Sequence, residues 1–148
     1  MVGLLDVNVL VALAWPNHIH HDLAHEWYRS HAARGWATCP LTQSGFVRVS
    51  SNRKVIPEAA TPHESILLLR RIVAQPHHQF WLDDISLATS RFVAPARLQG
   101  CHQVTDAHLL ALALRHKARL VTFDSAVGGL VPNGFPPGTV WVVGGAVS

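Results

Sequence analysis

Hydrophobic positions change period repeatedly along this chain, and the changes predict its elements. Val2 to Leu5 is apolar without alternation, the pattern of a strand buried on both faces, and Asp6 ends it. Asn8 is of the N-capping type, and Val9, Leu10, Leu13 and Ala14 then fall at helical spacing until Pro16 breaks the pattern. A second helix is expected from His20 to Ala33, with Leu23, Ala24, Trp27 and Tyr28 along one face and Gly35 ending it. Trp36 to Cys39 reads as a short strand bounded by Pro40. Thr42 can cap a third helix that carries Phe46, Val47 and Val49.

Thr61-Pro62-His63-Glu64 has the form of a capping box, with Pro62 at the first helical position, and the helix it opens runs to about Ala74. Phe80-Trp81-Leu82 is expected as a third strand. Asp83-Asp84, a short helical piece from Ser86 to Phe92 and a loop to Gly100 follow. The clearest helix is Thr105 to His116, where Leu109, Leu110, Leu112, Ala113 and Leu114 supply a broad apolar face and Thr105 a cap. Arg119 to Phe123 is a strand ended by Asp124, and a loop rich in glycine and proline leads to a last strand, Val140 to Val143.

Helices alternating with short apolar strands predict an α/β fold with a mainly parallel sheet. In such sheets ligands gather outside the carboxyl ends of the strands. Asp6 and Asp124 stand directly after strands, and Asp106 stands in the first turn of a helix that leaves from the same rim. Topology can therefore bring three carboxylates together. Each alone could merely cap the next turn, but carboxylates brought close repel one another unless some are protonated or a cation is bound. The usual cation is a hard, oxygen-liganded one, Mg²⁺ or Mn²⁺, which activates water and suits a phosphodiester substrate.

Composition narrows the picture only slightly. The 148 residues, 49% hydrophobic and 14% charged, fit one domain spanning residues 1–148. No apolar run approaches the roughly 18 residues of a membrane span, and no secretory signal is legible, so a cytoplasmic protein without a membrane partner is expected. The net charge of +3, with twelve Lys and Arg, is compatible with a polyanionic partner, although solubility explains it equally well. Arg48, Arg53 and Lys54 are candidates to hold the phosphates of such a partner, with dimer contacts or a solvated face as the alternative.

Other clusters read as ordinary structure. His18, His20, His21 and His25 could suggest zinc, because His21 and His25 share a helix face, but no further ligand completes a set, and a solvated helix start is the better reading. Asp83-Asp84 could add to the acidic pocket, but a surface pair beginning a helix is the simpler account. Cys39 and Cys101 have no metal spacing and read as two partly buried free thiols.

Four stretches carry a resemblance in their order along the chain: Leu4 to Leu10, Pro40 to Arg48, Val104 to Ala113, and Leu120 to Asp124. Together they resemble the successive motifs of a PIN domain, and more narrowly the VapC toxins of type II toxin-antitoxin modules. The resemblance implies a three-layer α/β/α sandwich, a Mg²⁺-dependent endoribonuclease acting on an RNA substrate, a homodimer, and a cognate antitoxin that neutralises it. It implies that Asp6 and Asp106 are metal ligands and that Asp124 completes the acidic pocket, with Asn8 and Thr105 bonding the carboxylates or capping their helices. Gln43 departs from the pattern, since many PIN domains carry a Glu there. An amide brings no charge, so the site has one anion fewer for a cation.

Two other functions are weighed against this one. A phosphatase of the haloacid-dehalogenase type also begins with an Asp after its first strand, but its second Asp is missing, with Asn8 in its place. The remaining alternative is a degenerate, non-catalytic RNA- or protein-binding PIN module.

Overall fold

Five strands, β1 (Gly3–Leu5), β2 (Trp36–Thr38), β3 (His78–Phe80), β4 (Arg119–Thr122) and β5 (Val140–Val142), form one sheet in the order β3-β2-β1-β4-β5. Every neighbouring pair is parallel. The structure is a computed structural model and describes residues 1–145, with the side chain of Pro137 excepted. The helices are α1 (Val7–Ala14), α2 (His21–His31), α3 (Pro40–Ser50), α4 (Pro62–Val73) and α5 (Val104–Arg115).

The unalternating apolar run in β1 follows from two cores, one on each face of the sheet. Leu4, Ala37 and Leu120 pack with Leu109, Leu110 and Ala113 of α5. Leu5, Trp36 and Val121 face the other way, onto Val9 and Leu10 of α1, Trp27 of α2, Phe46 of α3 and Leu69 of α4. A strand covered on both sides has no solvent face to mark with polar residues. The result is the three-layer α/β/α sandwich that the sequence resemblance implies. Gly45 lets α3 close on α1, because a Cβ there would stand 2.6 Å from Cγ2 of Val7.

Several boundaries differ from the sequence expectation. Asp6, not Asn8, caps α1: its backbone is still extended and its Oδ1 accepts the Val7 N–H at 2.7 Å. The helix therefore starts without a linker, and Asn8 is an exposed position inside it. Thr42 is likewise inside α3, because Pro40, with its fixed φ and no N–H, already occupies the first position. The Thr42 hydroxyl instead reaches back to accept the Cys39 N–H at 2.9 Å. Thr105 caps nothing, since a 3₁₀ turn at Cys101–Gln103 leads into α5 and leaves Thr105 exposed as the helix's second residue, two positions past the N-cap Gln103.

The third strand lies two residues earlier than expected, paired in register as Trp36 with His78 and Thr38 with Phe80. Trp81 then leaves the sheet and buries its indole against the ring of His116, 3.9 Å away. Ser86 to Phe92 forms turns rather than a helix, with the Ser86 carbonyl accepting the N–H of Ser90 at 2.9 Å and no further turn stacked upon it. One isolated turn meets the cost of nucleation without the gain of propagation. Cys39 is buried as expected, whereas Cys101 is exposed. No helix among the described residues is long and apolar enough to cross a membrane.

Candidate active site

The strand-to-helix junction at Asp6 sets the position of the first carboxylate. The Asp6 N–H continues the β1–β4 ladder by donating to the Val121 carbonyl at 2.9 Å, while its own carbonyl accepts from Leu10 and so begins α1. Strand and helix share this residue, so its carboxylate is fixed at the carboxyl edge of the sheet, at the positive end of the α1 dipole. Asp6 is 9% exposed. Burial raises its pKa, the bonds from Thr122 and Val7 oppose that shift, and the charge of Asp124 adds to it.

Thr122, the last residue of β4, organises the other side. Its hydroxyl donates to Asp6 Oδ2 at 2.9 Å and its oxygen accepts the Asp124 N–H at 3.2 Å. One buried side chain thus ties the first acid to the backbone of the third. Asp124 in turn accepts the Ala126 N–H at 2.9 Å and caps the 3₁₀ turn Ser125–Leu130. Thr122 lies within the Leu120 to Asp124 stretch but had no role assigned to it; its place two residues before Asp124, at the end of a buried strand, was the available clue.

Asp106 enters from the first turn of α5, half-buried, and its side chain accepts no hydrogen bond from the described residues. Its pKa is pushed up to about 6, first by burial and then by the charges of Asp6 and Asp124. The three acids therefore share one electrostatic neighbourhood, as their places at one rim predicted. Among the described residues no three His, Cys, Asp or Glu side chains converge closely enough to enclose an ion unaided. Such an open, all-oxygen donor set fits a cation like Mg²⁺, which keeps several waters and takes only one or two carboxylates from its protein.

Gln43 sits in the first turn of α3, beside α1 through the Gly45–Val7 contact. Its Nε2 donates to Thr38 Oγ1 at 3.0 Å, and that hydroxyl also pairs with His78 Nε2 at 2.8 Å. Asn8 and Thr105, expected to bond the carboxylates, are exposed; Thr122 fills that part for Asp6.

The remaining clusters have structural work. Asp83 does not join the acids: its Oδ2 pairs with His108 Nε2 at 2.6 Å, and Asp84 pairs with Arg115 at 2.6 Å, so the two acids pin the loop after β3 along α5. His21 Nδ1 bonds the Ala12 carbonyl at 2.7 Å and His25 Nε2 the Leu13 carbonyl at 3.0 Å. These two histidines close the carboxyl end of α1, a role that replaces the expected solvated helix start. Arg48, Arg53 and Lys54 are exposed, as a phosphate-holding or a solvated face requires.

The family model described as PIN domain matches residues 3–127. The chain belongs to the PIN-domain family. Within it the similarity is to VapC proteins of Mycobacterium tuberculosis. Ribonuclease VapC38 (strain ATCC 25618 / H37Rv) is 51% identical over 126 residues, which cover 85% of this chain and 87% of that protein. Ribonuclease VapC39 of the same strain is 46% identical over 127 residues, covering 86% and 91%, and Ribonuclease VapC44 is 43% identical over 127 residues, covering 86% and 89%. The matched span of this PIN domain contains all three acids and ends just past Asp124.

Proposed function

We propose that this PIN domain is a metal-dependent endoribonuclease toxin, acting as one unit over residues 1–148, with Asp6 and Asp106 as metal ligands and Asp124 completing the catalytic pocket. The observation that carries this reading is the gathering of three acids at one sheet edge, where burial first and then the charges of Asp6 and Asp124 raise the proton affinity of Asp106; a divalent cation would relieve the repulsion. When bound, Mg²⁺ or Mn²⁺ would supply Lewis-acid stabilisation of the phosphodiester and a lowered pKa for the attacking water.

The chain's own residues do the positioning. Asp6 is immobilised by two donors, Val7 N–H and the Thr122 hydroxyl, so its carboxylate keeps one orientation without substrate. Asp106, free of such bonds, can turn toward a ligand or hold a proton near neutral pH. Asp124 adds its carboxyl group to the edge while its backbone is anchored to Thr122. RNA phosphates reaching this edge need positive charge elsewhere, and Arg48, Arg53 and Lys54 offer it from α3 and its exit.

VapC-type relatives imply an antitoxin partner, and one groove suits a helical segment. It encloses about 550 Å³ between α2 and α4, with Leu13, Tyr28, Leu68 and Ile72 giving apolar contact and Arg29 and Arg71 at its sides. An amphipathic helix with acidic flanks matches that surface. Leu68→Asp is expected to leave RNA cleavage intact and abolish neutralisation by the cognate antitoxin; retained neutralisation places the antitoxin elsewhere. A homodimer and a cytoplasmic location complete the proposal.

The decisive experiment is cleavage of a structured RNA by the full chain. Cleavage is expected to require Mg²⁺ or Mn²⁺, to stop in EDTA and to vanish in Asp6→Asn. Metal-independent RNA binding without turnover would overturn the catalytic assignment in favour of a binding module.

A further inference from the structure

The amino edge of the sheet, opposite the three acids, holds a second polar concavity that the proposed nuclease reaction does not use. It is a cavity of about 50 Å³ bordered by Gly3 on β1, Trp27 and His31 on α2, Arg34, Arg119 on β4 and Trp141 on β5. A water needs roughly 10–15 Å³ of such space, so this one admits several waters or one small polyatomic ion. Among the described residues no acidic one lines it.

Two of the residues lining this cavity each carry a buried N–H that lacks a partner among the described residues: Trp27 Nε1 and Arg119 Nε. Trp27 is only 6% exposed, and indole N–H can only donate. Leaving such donors unanswered is costly, about 1–3 kcal/mol for a neutral group and more for a charged one. Neither is an accident of loose packing. A Cβ on Gly3 would stand 3.2 Å from Cζ2 and Cη2 of Trp27 and 2.8 Å from Val121 Cγ2, so the absent side chain is what admits the indole edge here. The Arg119 guanidinium is held over the Trp141 ring at 5.0 Å, and no carboxylate among the described residues pairs with it. His31 is fixed by donating Nδ1–H to the Trp27 carbonyl at 2.9 Å, by stacking on the Trp27 indole and by meeting the Trp141 indole edge-on.

Two unpaired donors, two arginines and, among the described residues, no acid describe an anion site. We propose that this cavity binds a small tetrahedral oxyanion, phosphate, with Trp27 Nε1 and the Arg119 guanidinium as donors and Arg34 at the mouth. Arginine's planar fork matches phosphate oxygens, and the surrounding indoles exclude competing water. The phosphate can be the free ion or the terminal phosphate of an RNA strand; the donors read the same group in either.

Isothermal titration calorimetry of the full chain in EDTA, with sodium phosphate as titrant and ionic strength held constant with NaCl, tests the assignment. Saturable binding is expected, weakened roughly 10-fold in Trp27→Phe, which removes one donor to a charged acceptor, and lost in Arg119→Met. Arg34→Ala, an exposed change that leaves the core intact, is expected to weaken binding less. A melting scan gives a second readout: phosphate at ten times its Kd raises Tm by about 4–5 °C in the wild type. Absence of binding in the wild type, or unchanged affinity in both Trp27→Phe and Arg119→Met, overturns the proposal and leaves the donors to water. The source is separated with Asp6→Asn protein and short RNAs. Preference for a 5′- or 3′-phosphorylated strand over its hydroxyl counterpart, abolished by Trp27→Phe, identifies the RNA end, and equal binding alongside phosphate binding identifies the free ion. None of these readouts depends on RNA cleavage, so failure of the nuclease reading and failure of this one are distinguishable.

Discussion

At the carboxyl end of β1, Asp6 stands among carboxylates where burial and then the neighbouring charges raise the proton affinity of Asp106, while three residues earlier Gly3 borders a cavity whose charged neighbours are arginines. The strand between them is about 10 Å long. Both ends hold unanswered charge, and in both the imbalance costs the ligand-free fold stability that a ligand of opposite sign restores. They differ in how the imbalance is arranged. The carboxyl edge assembles acids from three separate elements, with Thr122 bonded to two of them, and stays open enough for Asp124 to be exposed. The amino edge buries its donors among aromatic rings and leaves only a small space. An open cluster suits a hydrated cation and a large substrate; a narrow, ring-walled one suits a small ion.

The largest expected effect breaks the carboxyl edge alone. Asp6→Asn or Asp106→Asn should abolish RNA cleavage, read on a denaturing gel, while circular dichroism and phosphate binding stay as in the wild type. Parallel loss of phosphate binding would mean that the two edges are not independent.

The pH dependence of stability separates them next. Asp106 titrates at about 6 in the fold against 3.8 in the unfolded chain. A folded pKa above the unfolded one means that the native state holds the proton more tightly, so this contribution is fully present below pH 3.8 and is lost as pH rises through 6. In EDTA, urea-derived stability is therefore expected to fall across that window, and Asp106→Asn should flatten the slope. Mg²⁺ at pH 7 should raise Tm of the wild type and leave Asp106→Asn nearly unmoved.

Thr122→Val is a finer cut, since it removes one hydroxyl and keeps the strand's shape. It leaves Asp6 Oδ2 without its donor, so the Asp6 pKa should rise further and metal affinity or turnover should drop about 10–100-fold, as for other groups that orient a ligand. Unchanged kinetics would show that the helix-end donor Val7 N–H suffices.

The smallest effect falls on the amino edge. Gly3→Ala pushes a methyl toward Val121 and Trp27, and overpacking of this kind costs about 1–3 kcal/mol. Denaturant titration should register that loss, with phosphate binding weakened and RNA cleavage per folded molecule retained.

Much of the carboxyl edge was legible in the residues themselves. Asp6 interrupts an apolar run, Asp124 follows another, and Asp106 sits in a helix's first turn, so the rule that parallel strands share one carboxyl edge brings them together. The errors cluster where a local signal was real but subordinate. Asn8, Thr42 and Thr105 are all good caps, yet a strand that ends directly in a helix, a proline at the first position and a preceding 3₁₀ turn decided those starts instead. The histidines on α2 looked solvated because their partners, the Ala12 and Leu13 carbonyls, belong to a different helix.

The sequence alone determined what depends on period and order: which segments are strands covered on both faces, that the sheet is parallel, and that three acids reach one rim. Only the tertiary structure decided which side chains meet across elements. Thr122 bonding Asp6, Asp83 claimed by His108, and Trp27 with Arg119 facing one cavity all join residues 25 to 116 positions apart. Local propensity acts within a turn or a strand; pairing at such separations is set by sheet order and by how closely the layers pack, and those exist only once the chain has folded.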